Sequence, residues 1–351
     1  MNRLLSKSRF CILALLATFF ANGLSTFAQQ KEIIAIIDAG SSGSRLFVYE
    51  ANANEVTCLF PGTTQKDESK GCAISDIADG KINVDDYLNT MTAKYLPKDS
   101  ADLYVLATAG MRNVDKNKAD SIYIVMKNIE TKNKYRIKES MTISGRYEGL
   151  YAWIAANYDT LKTQQTPSEL IKKTKGIFEI GGASMQITFI PGTKMSATDI
   201  VQHKIYGPIY SKSYIQGGVD LIFKKHKEPG TSEYDNNYES SLRTSPPSPF
   251  SDESLPDSIY GLGKPISIAV KGIKTTNYND YLKSLTAHDS ASNYHPKSNA
   301  AYINWLITTM DIDINKIILK QDESWTKGAA HDILINNSFP EKFNYDTKNP
   351  N

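Results

Sequence analysis

The chain contains only three cysteines in 351 residues. That excludes a disulfide-dense scaffold and any metal centre built on cysteine. The histidines His203, His226, His288, His295 and His331 are scattered, with no HExxH and no Cys/His cluster, which argues against a zinc enzyme. There is no GxxxxGK[ST], so a P-loop nucleotide hydrolase is excluded, and no GxSxG for a serine hydrolase. Beyond Gln30 no apolar stretch is long enough to span a membrane. No long tract carries one sign of charge, as a groove for a polyanion or a nucleic acid would require.

What is present is a globular composition, 40% hydrophobic and 22% charged. The length exceeds a typical single domain, so two lobes are the default expectation. Residues 1–28 read as a signal peptide, with Arg3, Lys7 and Arg9 ahead of the apolar run Phe10–Phe20 and a small-residue cut after Ala28. An uncleaved anchor is the alternative. Loss of that leader takes the formal net charge from +2 to about −1, which gives no support for binding a nucleic acid polymer. Cys11 leaves with it, and Cys58 and Cys72 remain as an even pair in an exported chain. A short-loop disulfide between them is expected, the alternative being two reduced thiols.

The organising stretch is Ile33–Glu50. An apolar, β-branched run ends in Asp38, a tight turn follows, and a second apolar run begins. Gly43 lets backbone approach a ligand, while Ser41 and Ser42 supply hydroxyls and turn amides that make an anion-binding nest. Arg45 adds a planar fork suited to phosphate oxygens. A carboxylate such as Asp38 beside a phosphate nest calls for a metal ion between the two. The same design returns at Gly176–Phe189, with Glu179, Gly181, Gly182, Ala183, Ser184 and Gln186 in the corresponding places. Read alone, either copy could be an ordinary glycine-rich turn. As a pair they indicate two similar lobes facing a cleft.

Between the hairpins, Asn83–Tyr95 has helical spacing and Asp102–Ala107 reads as a strand. That strand runs into the small-residue turn Thr108-Ala109-Gly110-Met111-Arg112, the kind of strand end at which ligands collect. Asn113–Lys132 reads as a helix with Asp115 in its first turn, Ile137–Ile143 as a strand, and Tyr151–Tyr158 as a helix. Glu148 sits at that helix start. The residues leave two roles open for it: favouring the helix dipole, or taking a proton. Lys227–Asp257 reads as a long surface loop, Ile259–Ile273 as strand, Asn299–Met310 as helix, Lys316–Lys320 as strand and Trp325–Asn336 as a last helix.

Five stretches occur in one order: Ile33–Glu50, Leu106–Arg112, Ser144–Asn157, Gly176–Phe189 and Ser324–Ala330. That order resembles the five conserved regions of the ecto-nucleoside triphosphate diphosphohydrolases, the apyrases. The resemblance implies an α/β fold of the actin/heat-shock-chaperone/sugar-kinase type, with two RNase H-like lobes and an interlobe cleft. It also implies hydrolysis of the terminal phosphates of nucleoside tri- and diphosphates with a divalent cation, Mg²⁺ or Ca²⁺. By position, Glu148 resembles the general base and Gln186 the residue that helps place the water. Asp38 and Glu179 resemble the acids that hold the metal, largely through water. Ser41, Ser42, Gly43, Arg45, Thr108, Ala109, Gly181, Gly182, Ala183 and Ser184 resemble the phosphate cradle. Trp325 aligns with a tryptophan of the last motif, as a packing residue or a base contact. The expected division is 1–28 signal peptide, 29–144 first lobe, 145–316 second lobe, and 317–351 returning to the first.

Three departures stand out. Glu179 replaces the family's usual aspartate, and its extra methylene moves the carboxylate by about 1 Å. The first hairpin lacks the histidine of many cell-surface members, leaving Arg45 to take over part of the phosphate contact. Cysteines are too few for the disulfide set of animal members. The chain therefore looks like a soluble, bacterial-type member, secreted or periplasmic. The competing readings are an exopolyphosphatase-like phosphatase, a sugar kinase, a non-hydrolytic nucleotide switch of the actin type, and an inactive apyrase. The sequence does not give an oligomeric state.

Overall fold

The computed structural model describes residues 32–41, 43–52, 55–61, 69–129, 133–163, 165–192, 199–215, 218, 259–262, 313–320 and 324–345. The expected signal peptide, Ser42, the loop at 227–257 and the helix at 299–310 lie outside them.

The first half runs β1 (Glu32–Gly40), β2 (Gly43–Asn52), β3 (Glu55–Phe60), β4 (Lys70–Gly71), α1 (Ser75–Ala78), α2 (Val84–Thr92), β5 (Ala101–Ala107), α3 (Ala109–Arg112), α4 (Lys116–Lys127) and β6 (Tyr135–Thr142). The second half runs α5 (Gly145–Ala156), α6 (Tyr158–Leu161), α7 (Pro167–Lys173), β7 (Gly176–Ile180), β8 (Ser184–Phe189), β9 (Ile200–His203), β10 (Gly207–Ile215), β11 (Ile259–Leu262), β12 (Ile317–Leu319) and α8 (Trp325–Leu334).

Two six-stranded mixed sheets result. The first has the order β3-β2-β1-β5-β6, with β4 beside β2, and the second β12-β11-β7-β8-β10-β9. They are the same sheet twice. In each, a strand pairs antiparallel with its hairpin partner on one side and parallel with a later strand on the other. β1 is central and parallel to β5, so Ile34–Ile37 are buried on both faces, as a continuous β-branched run requires. β2 alternates more, with Arg45 and Phe47 half-exposed between buried Ser44, Leu46 and Val48.

After the last strand of each sheet comes a helix that crosses to the other sheet. α5 packs on β7, β8 and β10, α8 packs on β1, β2 and β3, and the two helices pack on each other. α5 is accordingly buried all round, from Gly149 to Ala156 without a break. Its Gly-Leu-Tyr-Ala-Trp-Ile-Ala-Ala run has no polar stripe because it has no wet face. At the helix crossing Gly328 of α8 sits on the Tyr151 carbonyl, so closely that a Cβ there would overlap it. Trp325 stacks on Tyr151 with ring centroids 6.3 Å apart.

Several expectations are corrected. The helix expected over 113–132 spans Lys116–Lys127, and Asp115 is its cap rather than part of its first turn, accepting from the amides of Asn117 and Lys118. The helix expected to start near Glu148 and run on to Tyr158 spans Gly145–Ala156, with Glu148 in its first turn. β12 pairs with β11, and α8, which follows it, packs on β1, β2 and β3. Cys58 and Cys72 are both free thiols. β3 and β4 lie end to end along the same edge of β2: Cys58 is opposite Tyr49, whereas the Cys72 carbonyl accepts from the Ser44 amide. Five residues of extended chain, roughly 17 Å, separate those positions, far beyond the reach of a disulfide.

Candidate active site

The two hairpins have the same register. Asp38 lies opposite Arg45 and Gly40 opposite Gly43, while Glu179 lies opposite Gln186 and the Gly181 amide donates to the Ser184 carbonyl. Each half-buried acid therefore stands two residues before a glycine that opens a two-residue turn. Gly43 has φ +139°, a conformation that strains any side chain, and a Cβ there would meet the Gly71 carbonyl at 2.9 Å.

Four contacts draw the motifs together. The turn after β5 lies against the first hairpin: a Cβ on Gly110 would come within 2.8 Å of Ser41 Cα, and the Thr108 amide donates to the Ala39 carbonyl. At the end of that turn Arg112 is buried. Its Nη2 lies 2.5 Å from Glu148 Oε2, and its Nε donates to the Ile143 carbonyl at 3.1 Å. Nη1, also buried, has no hydrogen-bond partner among the described residues and points at Gly145. Glu148 is in the first turn of α5, where the Ser144 side chain accepts from the Tyr147 amide. The next residue, Gly149, sits directly on the second hairpin, with space for a Cβ limited to 2.6 Å from Thr188 Oγ1 and 3.1 Å from Gln186 Cβ. Gln186 is buried, and its Nε2 donates to Ser184 Oγ at 2.8 Å and to Ser213 Oγ at 3.3 Å.

An unbroken run of contacts thus links Ser41, Gly110, Arg112, Glu148, Gly149, Gln186 and Ser184 from one hairpin to the other. Thr108 and Ala109 are buried in the turn beside Ser41, and Ala183, next to Gly182, is held by the close approach of Gly218. Ser42 lies outside the described residues. Trp325 is buried in the α5–α8 interface, stacked on Tyr151.

Four members of this arrangement had no role assigned from sequence. Arg112 closes the second motif and is the one charge in a buried turn, which is itself a signal. Ser213 and Ser211 alternate along β10 beneath α5, and Ser211 Oγ donates to the Arg146 carbonyl. Small hydroxyls at alternate positions mark a strand face that a helix approaches closely. Gly218 had no such signal, because its partner Ala183 lies in the β7–β8 turn, far away in sequence.

Asp38 and Glu179 are the residues that could hold a metal. Their donor set, carboxylate oxygen with neighbouring hydroxyls and amides, suits a hard cation such as Mg²⁺ or Ca²⁺. Among the described residues no group of three or more His, Cys, Asp or Glu is gathered for one ion.

A family model described as the GDA1/CD39 (nucleoside phosphatase) family matches residues 25–241. The chain belongs to that family. Among curated relatives, ectonucleoside triphosphate diphosphohydrolase 1 of Bos taurus is 30% identical over 226 residues, covering 58% of this chain and 43% of the relative. Probable apyrase 5 of Arabidopsis thaliana is 28% identical over 245 residues, covering 61% and 46%. The match spans less than half the length of these relatives. Among solved structures, a nucleoside triphosphate hydrolase from Neospora caninum superposes with a TM-score of 0.61 at 9% identity, covering 95% of this chain and 97% of that one. An Aquifex aeolicus member of the Ppx/GppA family gives 0.53 at 16%, covering 88% and 99%. At such identities these structures speak for the fold alone. With the duplicated sheets they establish this GDA1/CD39 member as α/β, of the actin-like two-sheet type. No described helix is long and apolar enough to cross a membrane.

Proposed function

We propose that the chain hydrolyses the terminal phosphates of nucleoside tri- and diphosphates, NTP to NDP to NMP plus phosphate. The observation that carries this reading is the buried Arg112–Glu148 pair set between two hairpins of identical register. Arg112 occupies one oxygen of Glu148 and so fixes the carboxylate's direction, leaving Oε1 to accept a proton from water. The water attacks the terminal phosphorus in line, its proton passes to Glu148, and the bond to the bridging oxygen breaks to release the shorter nucleotide. Gln186, held by Ser184 and Ser213, helps place that water. Backbone amides or hydroxyls of Ser41, Ser42, Gly43, Thr108, Ala109, Gly182, Ala183 and Ser184 cradle phosphate oxygens, Thr108 through its hydroxyl, while Gly181 closes its turn on the Ser184 carbonyl and Arg45 lies alongside. Such a site works by positioning and charge neutralisation, which is what phosphoryl transfer needs. Asp38 and Glu179 would hold a divalent cation, which when bound neutralises charge on the phosphate oxygens. On the leader at 1–28, the protein acts outside the cytoplasm, on free nucleotides rather than nucleic acid.

The test is phosphate release from ATP and ADP, with Mg²⁺, with Ca²⁺ and with EDTA, by the mature protein and by Glu148→Gln. Turnover only with metal, and a fall in kcat of about 10³ in Glu148→Gln with nucleotide binding retained, is the expected result. Binding without release by either protein would make the cleft a nucleotide-binding switch and Glu148 a helix cap.

A further inference from the structure

The segment that follows α8 doubles back along the end of β6. The Phe343 amide donates to the Thr142 carbonyl at 2.8 Å, Ile143 and Lys342 form an antiparallel bridge, and the Ser144 amide donates to the Glu341 carbonyl at 2.9 Å. Thr142 is the last residue of β6, and Ile143 and Ser144 are the link between β6 and α5. They set where the helix bearing Glu148 begins, and the Ile143 carbonyl is the acceptor for Arg112 Nε.

Tyr345 reaches further in. Its hydroxyl donates to the Met111 carbonyl at 3.0 Å and lies 2.8 Å from Thr142 Oγ1, which in turn lies 2.6 Å from the Tyr123 hydroxyl. Each hydroxyl has one proton, and only one direction satisfies all three: Tyr123 donates to Thr142, Thr142 to Tyr345, and Tyr345 to Met111. The row ends on the residue next to Arg112. Burial pushes the Tyr345 phenol above its ordinary value, so it stays a donor through the neutral range, and Arg112 is close enough to oppose that rise. Phe343 is buried and meets Tyr345 edge-on at 4.8 Å, which fixes the ring. The other ties of the segment, Glu341 to Arg146 and Lys342 to Asp120, are exposed ion pairs of small consequence.

We propose that Tyr345 is a positioning residue for the Arg112–Glu148 pair, clamping the Met111 carbonyl on one side and the β6–α5 link on the other. The proposal rests on the reading of Glu148 given above. Both residues of the pair sit at the ends of short turns, one after β5 and one after β6, and among the described residues the two turns are held to each other by the pair, by the Ile143 carbonyl and by the Ile143 amide, which donates to the Ala107 carbonyl at 2.9 Å. A second fastening outside the pair lets the carboxylate keep its direction when the proton arrives and the charge attraction to Arg112 lapses.

The experiment compares the mature wild type with Tyr345→Phe, which keeps the ring and loses the hydroxyl, and with Lys342→Ala on the same segment. Steady-state phosphate release from ATP with Mg²⁺, nucleotide affinity in the absence of turnover, the pH profile of kcat and the thermal midpoint are read for each. Tyr345→Phe is expected to lose about tenfold in kcat, with KM and affinity within about twofold of wild type. Its pH profile of kcat should change as well, because the turns that carry the pair are held less firmly. Lys342→Ala should match wild type in all four. The proposal falls if Tyr345→Phe turns over like wild type, or if its loss equals its loss of folded protein with the pH profile unmoved. If the wild type itself releases no phosphate, the reading of the site falls and takes this proposal with it; if the wild type turns over, only the role of Tyr345 is at stake.

Discussion

The two hairpins are one design with two outcomes. In the first, the acid at the strand end faces a half-exposed arginine across the ladder; in the second, the matching position is a glutamine buried under α5. The backbone is repeated and the cross-strand partner is not. A cation facing solvent can meet a phosphate arriving from outside. A neutral amide held by two serine hydroxyls has both donors committed and its carbonyl oxygen left to accept, which suits it to orienting a small group such as water. The frame is the same in both, and the two differ at one register position, Arg45 in the first and Gln186 in the second.

The junction of the halves gives the largest expected effect. Gly328→Ala drives a methyl into the Tyr151 carbonyl at the α5–α8 crossing, where backbone cannot retreat without moving both sheets. A loss of about 3 kcal/mol or more in unfolding free energy is expected, read by denaturant titration; a loss under about 1 kcal/mol would show that the halves are less tightly joined than their comparison assumes.

The division of labour itself is tested by Gln186→Ala against Arg45→Ala. The first should cost about a hundredfold in kcat with little change in KM. The second should raise KM by about tenfold and weaken with salt as a charge contact does. If both variants move the same kinetic parameter, the two hairpins share one task.

The second sheet's edge carries an asymmetry of its own. His203 Nδ1 accepts from the amides of Ile205 and Tyr206, so its proton is on Nε2, directed at Asp332 of α8. His331, one residue earlier, is pushed down to about 4 by burial. Its folded pKa is below the unfolded value, so between about pH 6.5 and 4 the unfolded chain binds more protons. Stability should therefore fall as pH drops through that window, by on the order of 3 kcal/mol. The decline should flatten in His331→Gln; an equal decline in both would place the sensitive group elsewhere.

The smallest effect concerns the acids. Glu179→Asp shortens the second carboxylate to match the first, and Asp38→Glu lengthens the first to match the second. A shift of severalfold, about threefold, in the Mg²⁺ concentration for half-maximal rate is expected, in opposite directions for the two. Shifts in the same direction would mean that the acids do not hold one ion between them.

The hairpins could be read from the sequence because strand, turn and strand are local: alternation, β-branching and glycine fix them within a few residues. Glu148 could be placed at a helix start, but the residues alone left its role open and only the resemblance made it a general base, since its partner comes from another turn. The disulfide was misread for the same reason. Two cysteines close in sequence were separated when their strands laid themselves end to end along β2. Tyr345 left no trace as part of the site, because a tyrosine near the end of a chain looks like any other until the segment folds back on Thr142.

By itself, then, the sequence determined the repeated hairpin, its acids and its glycines, and through five ordered motifs the family. These are set by backbone sterics and short-range pattern. Only the tertiary structure decided which of the two hairpins faces a cation and which a buried amide, that Arg112 grips Glu148, and that Tyr345 fastens the turns that carry them. Each of those depends on residues brought together by the burial of α5 and α8 between two sheets, and burial is a property of the whole chain, not of any stretch of it.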